Sequence, residues 1–114
     1  MGAPTVAASG TATSDGTEQT LATITTPGAY ELHVDMGAMA NTEVVLLRIK
    51  KPVLAGGTTR STQYLSYSAT GSGAPEPTAR VLGPIAIDDT STTFTLQRTS
   101  GSARAHPWKI FRLA

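Results

Sequence analysis

A chain of 114 residues with nine basic and eight acidic side chains, net charge +1 and no cysteine reads as one domain. It offers no basic field for nucleic acid, no thiolate for a disulfide or metal, and no run near the roughly 18 apolar residues of a membrane span. No Lys or Arg precedes Arg48, so the charged start of a signal peptide is absent. Charged residues make up only 15% of the chain, which is rich in Thr, Ser and Gly. Such a surface suits a protein covered by its neighbours better than a free cytosolic enzyme.

Residues 1–16, MGAPTVAASGTATSDG, are small and polar with Val6 as the one apolar point. Too little can be buried there to offset the entropy of ordering, so the expectation is an extended N-terminal arm, either a disordered tail or an arm that orders against a partner. Residues 17–114 then form the domain. Asp15-Gly16 marks a turn. In Thr17–Thr26 the apolar Leu21 and Ile24 are three apart, which predicts a strand with a bulge or at an edge. After the Pro27-Gly28 turn, Ala29–Met36 alternates cleanly: Tyr30, Leu32, Val34 and Met36 against Glu31, His33 and Asp35, the period of a half-buried strand. Gly37–Asn41 has room for one helical turn ending at Asn41.

Thr42–Lys51 places Val45, Leu47 and Ile49 on one face. Val44 and Leu46 lie on the other with Arg48 and Lys50, so both faces are covered near the strand start. A helix is the rival reading, and the Val/Ile content favours a strand. Pro52 ends it, and Pro52–Thr59 is a loop. Arg60–Thr70 alternates Gln63, Leu65, Tyr67 and Ala69 against Tyr64, Ser66 and Ser68. Gly71–Pro77 is a loop biased to extended geometry by Pro75 and Pro77. Arg80–Ile87 is interrupted by Gly83-Pro84, as an edge or bulged strand would be. Asp88-Asp89-Thr90 turns the chain into Ser91–Thr99, with Phe94, Leu96 and Arg98 on one side. Ser100–Ala105 is a loop, and His106–Leu113 is a last apolar strand, expected to be inserted in a sheet. Seven or eight strands at spacings of about ten residues predict an all-β, antiparallel β-sandwich, immunoglobulin-like or jelly-roll-like.

Chemistry is sparse. His33 between Glu31 and Asp35 is a metal or acid–base trio in one reading and a solvated polar face in the favoured one. His106 is read as a loop residue before Pro107. Asp88-Asp89 reads as a turn rather than a cation site. No Gly-x-Ser-x-Gly elbow or phosphate loop occurs. The expectation is therefore no enzyme, no catalytic residues, no metal and no cofactor. Arginines 48, 60, 80, 98, 104 and 112 are spread over the strands. They are either ordinary surface charge or bidentate contacts to carboxylates of a neighbouring subunit. Trp108, the single tryptophan, is expected to anchor the core, with an interface hot spot or a sugar-stacking platform as the alternatives.

Three stretches, LATITTPGAYELHVD (21–35), VVLLRIK (44–50) followed by GGTTR, and LQRTSGSARAHPWK (96–109), resemble small virion structural proteins of tailed bacteriophages. The resemblance covers about residues 20–113 and brings no site residues with it. It implies a virion protein at the capsid surface, of the decoration (cement) kind, which binds between major capsid subunits and stabilises the shell. The implied partners are the major capsid protein and further copies of the chain, as a trimer on a local threefold axis, with neither nucleic acid nor membrane. Pro4, Thr5 and Val6 of the arm, Arg60, Arg80, Arg104 and Trp108 are the candidate partner-binding residues. Deleting residues 2–16 is expected to weaken attachment and leave the domain folded. A tail, neck or fibre-attachment component, and a carbohydrate-binding β-sandwich, are the alternatives.

Overall fold

The computed structural model describes residues 4–37, 43–54, 56–68, 79–88 and 91–113. Eight strands follow one another: β1 (Thr5–Thr13), β2 (Gln19–Ile24), β3 (Gly28–Asp35), β4 (Val44–Pro52), β5 (Thr59–Ser68), β6 (Ala79–Ile87), β7 (Thr92–Ser100) and β8 (Ala105–Leu113). They form two four-stranded sheets, ordered β1-β8-β3-β6 and β2-β7-β4-β5. All pairings are antiparallel. The all-β sandwich expected from the alternation is therefore present, with eight strands.

The topology follows one rule. β1 pairs with β8, β2 with β7, β3 with β6 and β4 with β5, so the chain is a long nested hairpin with β4–β5 at its apex. Two further ladders, β3–β8 and β4–β7, roll that hairpin into two sheets. Among consecutive strands only β4 and β5 share a sheet. This is the eight-stranded jelly roll, the second of the two sandwich types expected. Strand directions send the β1–β2, β3–β4, β5–β6 and β7–β8 connections to one end. The β2–β3, β4–β5 and β6–β7 connections, the start of β1 and the close of β8 lie at the opposite end, called here the apex end.

Alternation builds the core. Tyr30, Leu32 and Val34 of β3 meet Val45, Leu47 and Ile49 of β4, Phe94 and Leu96 of β7 and Ile110 of β8, all essentially inaccessible. Leu82 and Ile87 of β6 close one flank, and Met36 caps the layer beyond β3. Leu46, on the other face of β4, is also buried, as the two apolar parities of that strand predict. β2 carries both features expected of it: it is an edge strand, and its register slips between Thr20 and Ala22. β6 is likewise an edge strand, interrupted at Gly83-Pro84, whose peptide bond is cis. Gly83 has φ +122°, and a Cβ there would lie 2.9 Å from the Tyr30 carbonyl oxygen, so the bulge opposite Tyr30–Leu32 requires a glycine.

Two expectations need revision. Within the segment 1–16, Thr5–Thr13 is a strand whose partner is the chain's own β8. β1 is an edge strand of the sandwich, and removing residues 2–16 would leave β8 unpaired on one side. His106 belongs to β8, in keeping with the strand expected over His106–Leu113 and against its reading as a loop residue; it is 0% exposed, and Pro107 sits on the outward parity where a missing N–H is tolerated near a strand start. Trp108 is half-buried and packs against the core from its margin, where Gly10 of β1 lies over its indole ring. The helical turn at Gly37–Asn41 and the Gly71–Pro77 loop fall largely or wholly outside the described residues.

Two outcomes check this architecture by urea unfolding. Leu47→Ala, at the centre of the core, lowers stability by about 2–5 kcal/mol. Deleting residues 2–16 lowers the unfolding midpoint as well, because it removes a paired strand and uncovers Trp108. An unchanged midpoint would mean that β1 adds nothing to the sheet.

Candidate interaction surface

Several polar side chains among the described residues engage one another. On the outer face of the β2-β7-β4-β5 sheet, Glu18 accepts hydrogen bonds from Arg48 and Lys50, both at 3.1 Å, and from the Thr95 hydroxyl at 2.7 Å. Arg48 also donates to Gln97 at 3.0 Å and lies over the exposed Tyr64 ring. The Thr95 hydroxyl, foremost, then Lys50 and Arg48 hold the Glu18 carboxyl below the usual glutamate range, against a partial opposing effect of burial. This network joins the β1–β2 connection to β4 and β7.

A second carboxylate secures the β7–β8 connection. Glu43, only 3% exposed, accepts from the Ser102 amide at 2.9 Å and from the Arg104 guanidinium at 3.1–3.2 Å. Gly101 has φ +99°, and a Cβ there would overlap the Glu43 side chain. The residue therefore has to be glycine both for its backbone and for the space it leaves. Ser14 ties β1 to the same connection: its amide donates to the Arg104 carbonyl at 2.8 Å and its hydroxyl accepts from the Arg104 amide at 3.0 Å.

The candidate residues divide between the two ends. Arg104 is committed to Glu43 within the chain. Arg48 is likewise engaged, and Arg112 donates to the Pro27 carbonyl at 2.9 Å. Arg60 is exposed near the apex end of β5. Arg80 lies in β6, opposite Val34, toward the end away from the apex. Pro4, Thr5 and Val6 are exposed where β1 begins, and so share the apex end with Arg60. Pro4, Thr5 and Val6 thus share the apex end with Arg60 but lie on the opposite flank from it, and all four are away from Arg80, Arg104 and Trp108.

Sequence reasoning missed the most exposed aliphatic pair. Val53 and Leu54, 73% and 76% exposed, stand on the β4–β5 hairpin. The turn there is closed by the Gly57 amide donating to the Leu54 carbonyl at 2.9 Å, with Gly56 at φ +79°. Val6, 51% exposed, is at the same end. The signal was present in the sequence as two large aliphatics inside the Pro52–Thr59 loop, one residue ahead of Gly56-Gly57, where a turn needs none.

The outer face of the β1-β8-β3-β6 sheet is self-contained. His33 meets Glu31 at 3.2 Å and the edge of Phe111 at 4.9 Å, while Lys109 lies over the Phe111 ring. A shallow depression of about 260 Å³ beside them is lined by His33, Asp35, Pro107, Trp108, Lys109 and Phe111. Glu31 and His33 are half-buried in this packing, so the face is less solvated than the alternation suggests. Asp35 caps the Gly37 amide at 2.8 Å. His106, the second histidine, bonds through Nδ1 to the Asp35 carbonyl at 3.2 Å, and its Nε2 is buried without a hydrogen-bond partner. Among the described residues no three His, Asp or Glu side chains are grouped to hold a metal. No protein-family model, curated protein or solved structure matches this chain.

Two substitutions separate structural arginines from exposed ones. Arg104→Met lowers stability by about 1–3 kcal/mol, since it strips a buried carboxylate of a charged donor. Arg60→Met changes it by less than about 0.5 kcal/mol. The Glu18 network adds a pH dependence. A carboxyl whose folded pKa is depressed contributes stability above its unfolded pKa, and that stability is lost as pH falls through the folded value. Glu18→Gln therefore destabilises the protein at neutral pH and much less at about pH 3, as read from urea midpoints at the two pH values.

Proposed function

We propose that this protein is a structural component of a phage particle, a capsid decoration protein that binds at junctions between major capsid subunits and reinforces the shell. The observation that supports this reading best is the exposure of Val53 and Leu54 on the β4–β5 hairpin at one end of a jelly roll. A small apolar prominence at the tip of a hairpin is what a docking protein needs in order to seat in a cleft on a partner. The carboxylates Glu18 and Glu43 secure connections at the opposite end, which leaves the apex end available for contact. Jelly rolls also recur among viral capsid domains. That argument is one of fold analogy and adds only to the prior. The sequence resemblance to small tailed-phage virion proteins points the same way.

The mechanism is mechanical. Each copy places its β4–β5 tip and the start of β1 across a seam, and the area buried there opposes separation of the subunits. Arg60, exposed near the tip, supplies a guanidinium for a capsid carboxylate.

Quantitative mass spectrometry of purified particles tests the reading. The expected ratio to the major capsid protein is roughly one to one, or one to a few, as symmetric occupation of a shell requires. A ratio of a few per hundred would instead make the protein a tail or neck component. Val53→Asp/Leu54→Asp is expected to abolish binding to undecorated shells with the thermal midpoint unchanged, since both side chains are already in water. Full binding by this variant would remove the tip from the interface.

A further inference from the structure

The two flanks of the sandwich differ. On one, the edge strands are β5 and β6, whose sequences carry Arg60, Arg80 and the bulged Gly83-Pro84; charge, proline and bulges are the usual guards against edge pairing. On the other, the edge strands are β1 and β2, TVAASGTAT and QTLATI. Neither contains a charged residue or a proline. β1 is nine residues long and exposes Thr5, Val6, Ala7, Ser9, Gly10, Thr11 and Thr13. Its only irregularity is the slip between Val6 and Ala8, so Ala8–Thr13 is regular in register with β8. A long, regular, uncharged edge presents unpaired backbone N–H and C=O groups as a template for another strand.

We propose that this edge pairs with β1 of a second copy, antiparallel across a two-fold axis at Gly10. The inference is independent of the capsid reading. Two observations select a second copy as the occupant. In an antiparallel sheet, residues opposite one another share a face, so the axis must lie on a residue rather than between two. At Gly10 it sets Ala8 against Ala12 and Ser9 against Thr11, all small enough for close approach. The strands themselves carry no charge, so the pairing brings no like charges together. Finally, a nine-residue strand is roughly 30 Å long and the molecule is 19 Å thick. The flank therefore offers about 600 Å² per copy, at the lower end of what a specific dimer needs.

The test is the oligomeric state of the full chain by sedimentation equilibrium over micromolar to millimolar concentrations. The expected result is a monomer–dimer equilibrium. Ser9→Lys/Thr11→Lys, which sets lysines opposite lysines on an exposed face, shifts dissociation at least tenfold toward monomer. Because the chain has no cysteine, Ser9→Cys/Thr11→Cys gives a covalent dimer on mild oxidation only if these positions face each other between copies. Circular dichroism and thermal melting confirm that each variant is folded. A wild-type monomer throughout the range, or a dimer indifferent to the lysines, overturns the proposal; a trimer would do so as well.

Discussion

The nested pairing of strand one with eight, two with seven, three with six and four with five is the constraint on which the rest of this structure depends. It joins residues as far apart as Thr5 and Arg112. Nearly all sheet formation is thereby non-local, and only the β4–β5 hairpin can close early. Loop-closure entropy must be offset before most of these contacts contribute, which places the domain among slow-folding topologies. The offset comes from one apolar layer. β3, β4, β7 and β8 are the inner strands of the two sheets, and they supply most of the fully buried side chains. Edge strands β1, β2, β5 and β6 add mainly partly buried residues around the margin.

The inner strands were legible in the sequence for the same reason that they dominate the core. Tyr30-Leu32-Val34 and Val45-Leu47-Ile49 alternate strongly because both strands are held between neighbours, and register there is fixed by burial on one face. β1 was not legible as part of the domain. Its residues are small enough to match the composition of a disordered tail, and what makes it a strand is the neighbour it finds in β8, with Gly10 leaving room for Trp108. His106 was misplaced because a residue preceding proline reads as a loop, whereas β8 tolerates Pro107 close to its start. The arginines could not be sorted from sequence at all. Arg104 and Arg60 look alike there, and only the fold brings Glu43 to one of them.

Charge is distributed unevenly along the molecule, and this shapes its surfaces. Glu43 and Arg104 sit at the end where β7 passes to β8, and Glu18 draws the β1–β2 connection onto β4 and β7. Each carboxylate does for a connection what a backbone ladder does for a strand: it fixes the chain where no sheet continues. The apex end has a different character. Its hairpin is closed by a backbone hydrogen bond and two glycines, and its side chains Val53 and Leu54 are left in water. The two carboxylate networks and the exposed aliphatic tip are thus separated by the length of the strands. A substitution at the tip can alter binding without reaching the network that holds the connections.

The apex end and the β1 flank are distinct surfaces, and their geometry sets how they combine. An antiparallel β1–β1 pair reverses the strand direction between copies, so the two Val53–Leu54 tips point in opposite directions. A dimer of this kind cannot lay both tips on one shell. It either presents one tip to the shell and one away from it, or it bridges two separate surfaces. Copies bound to a shell at high density, each seated by its own tip, would have to leave their β1 edges unpaired or pair them with a different strand. Flank pairing and apex docking are therefore alternatives for a densely decorated shell. Since a dimer of roughly 1,200 Å² in total lies at the weak end of specific interfaces, the free protein can exchange one for the other without a large barrier in affinity.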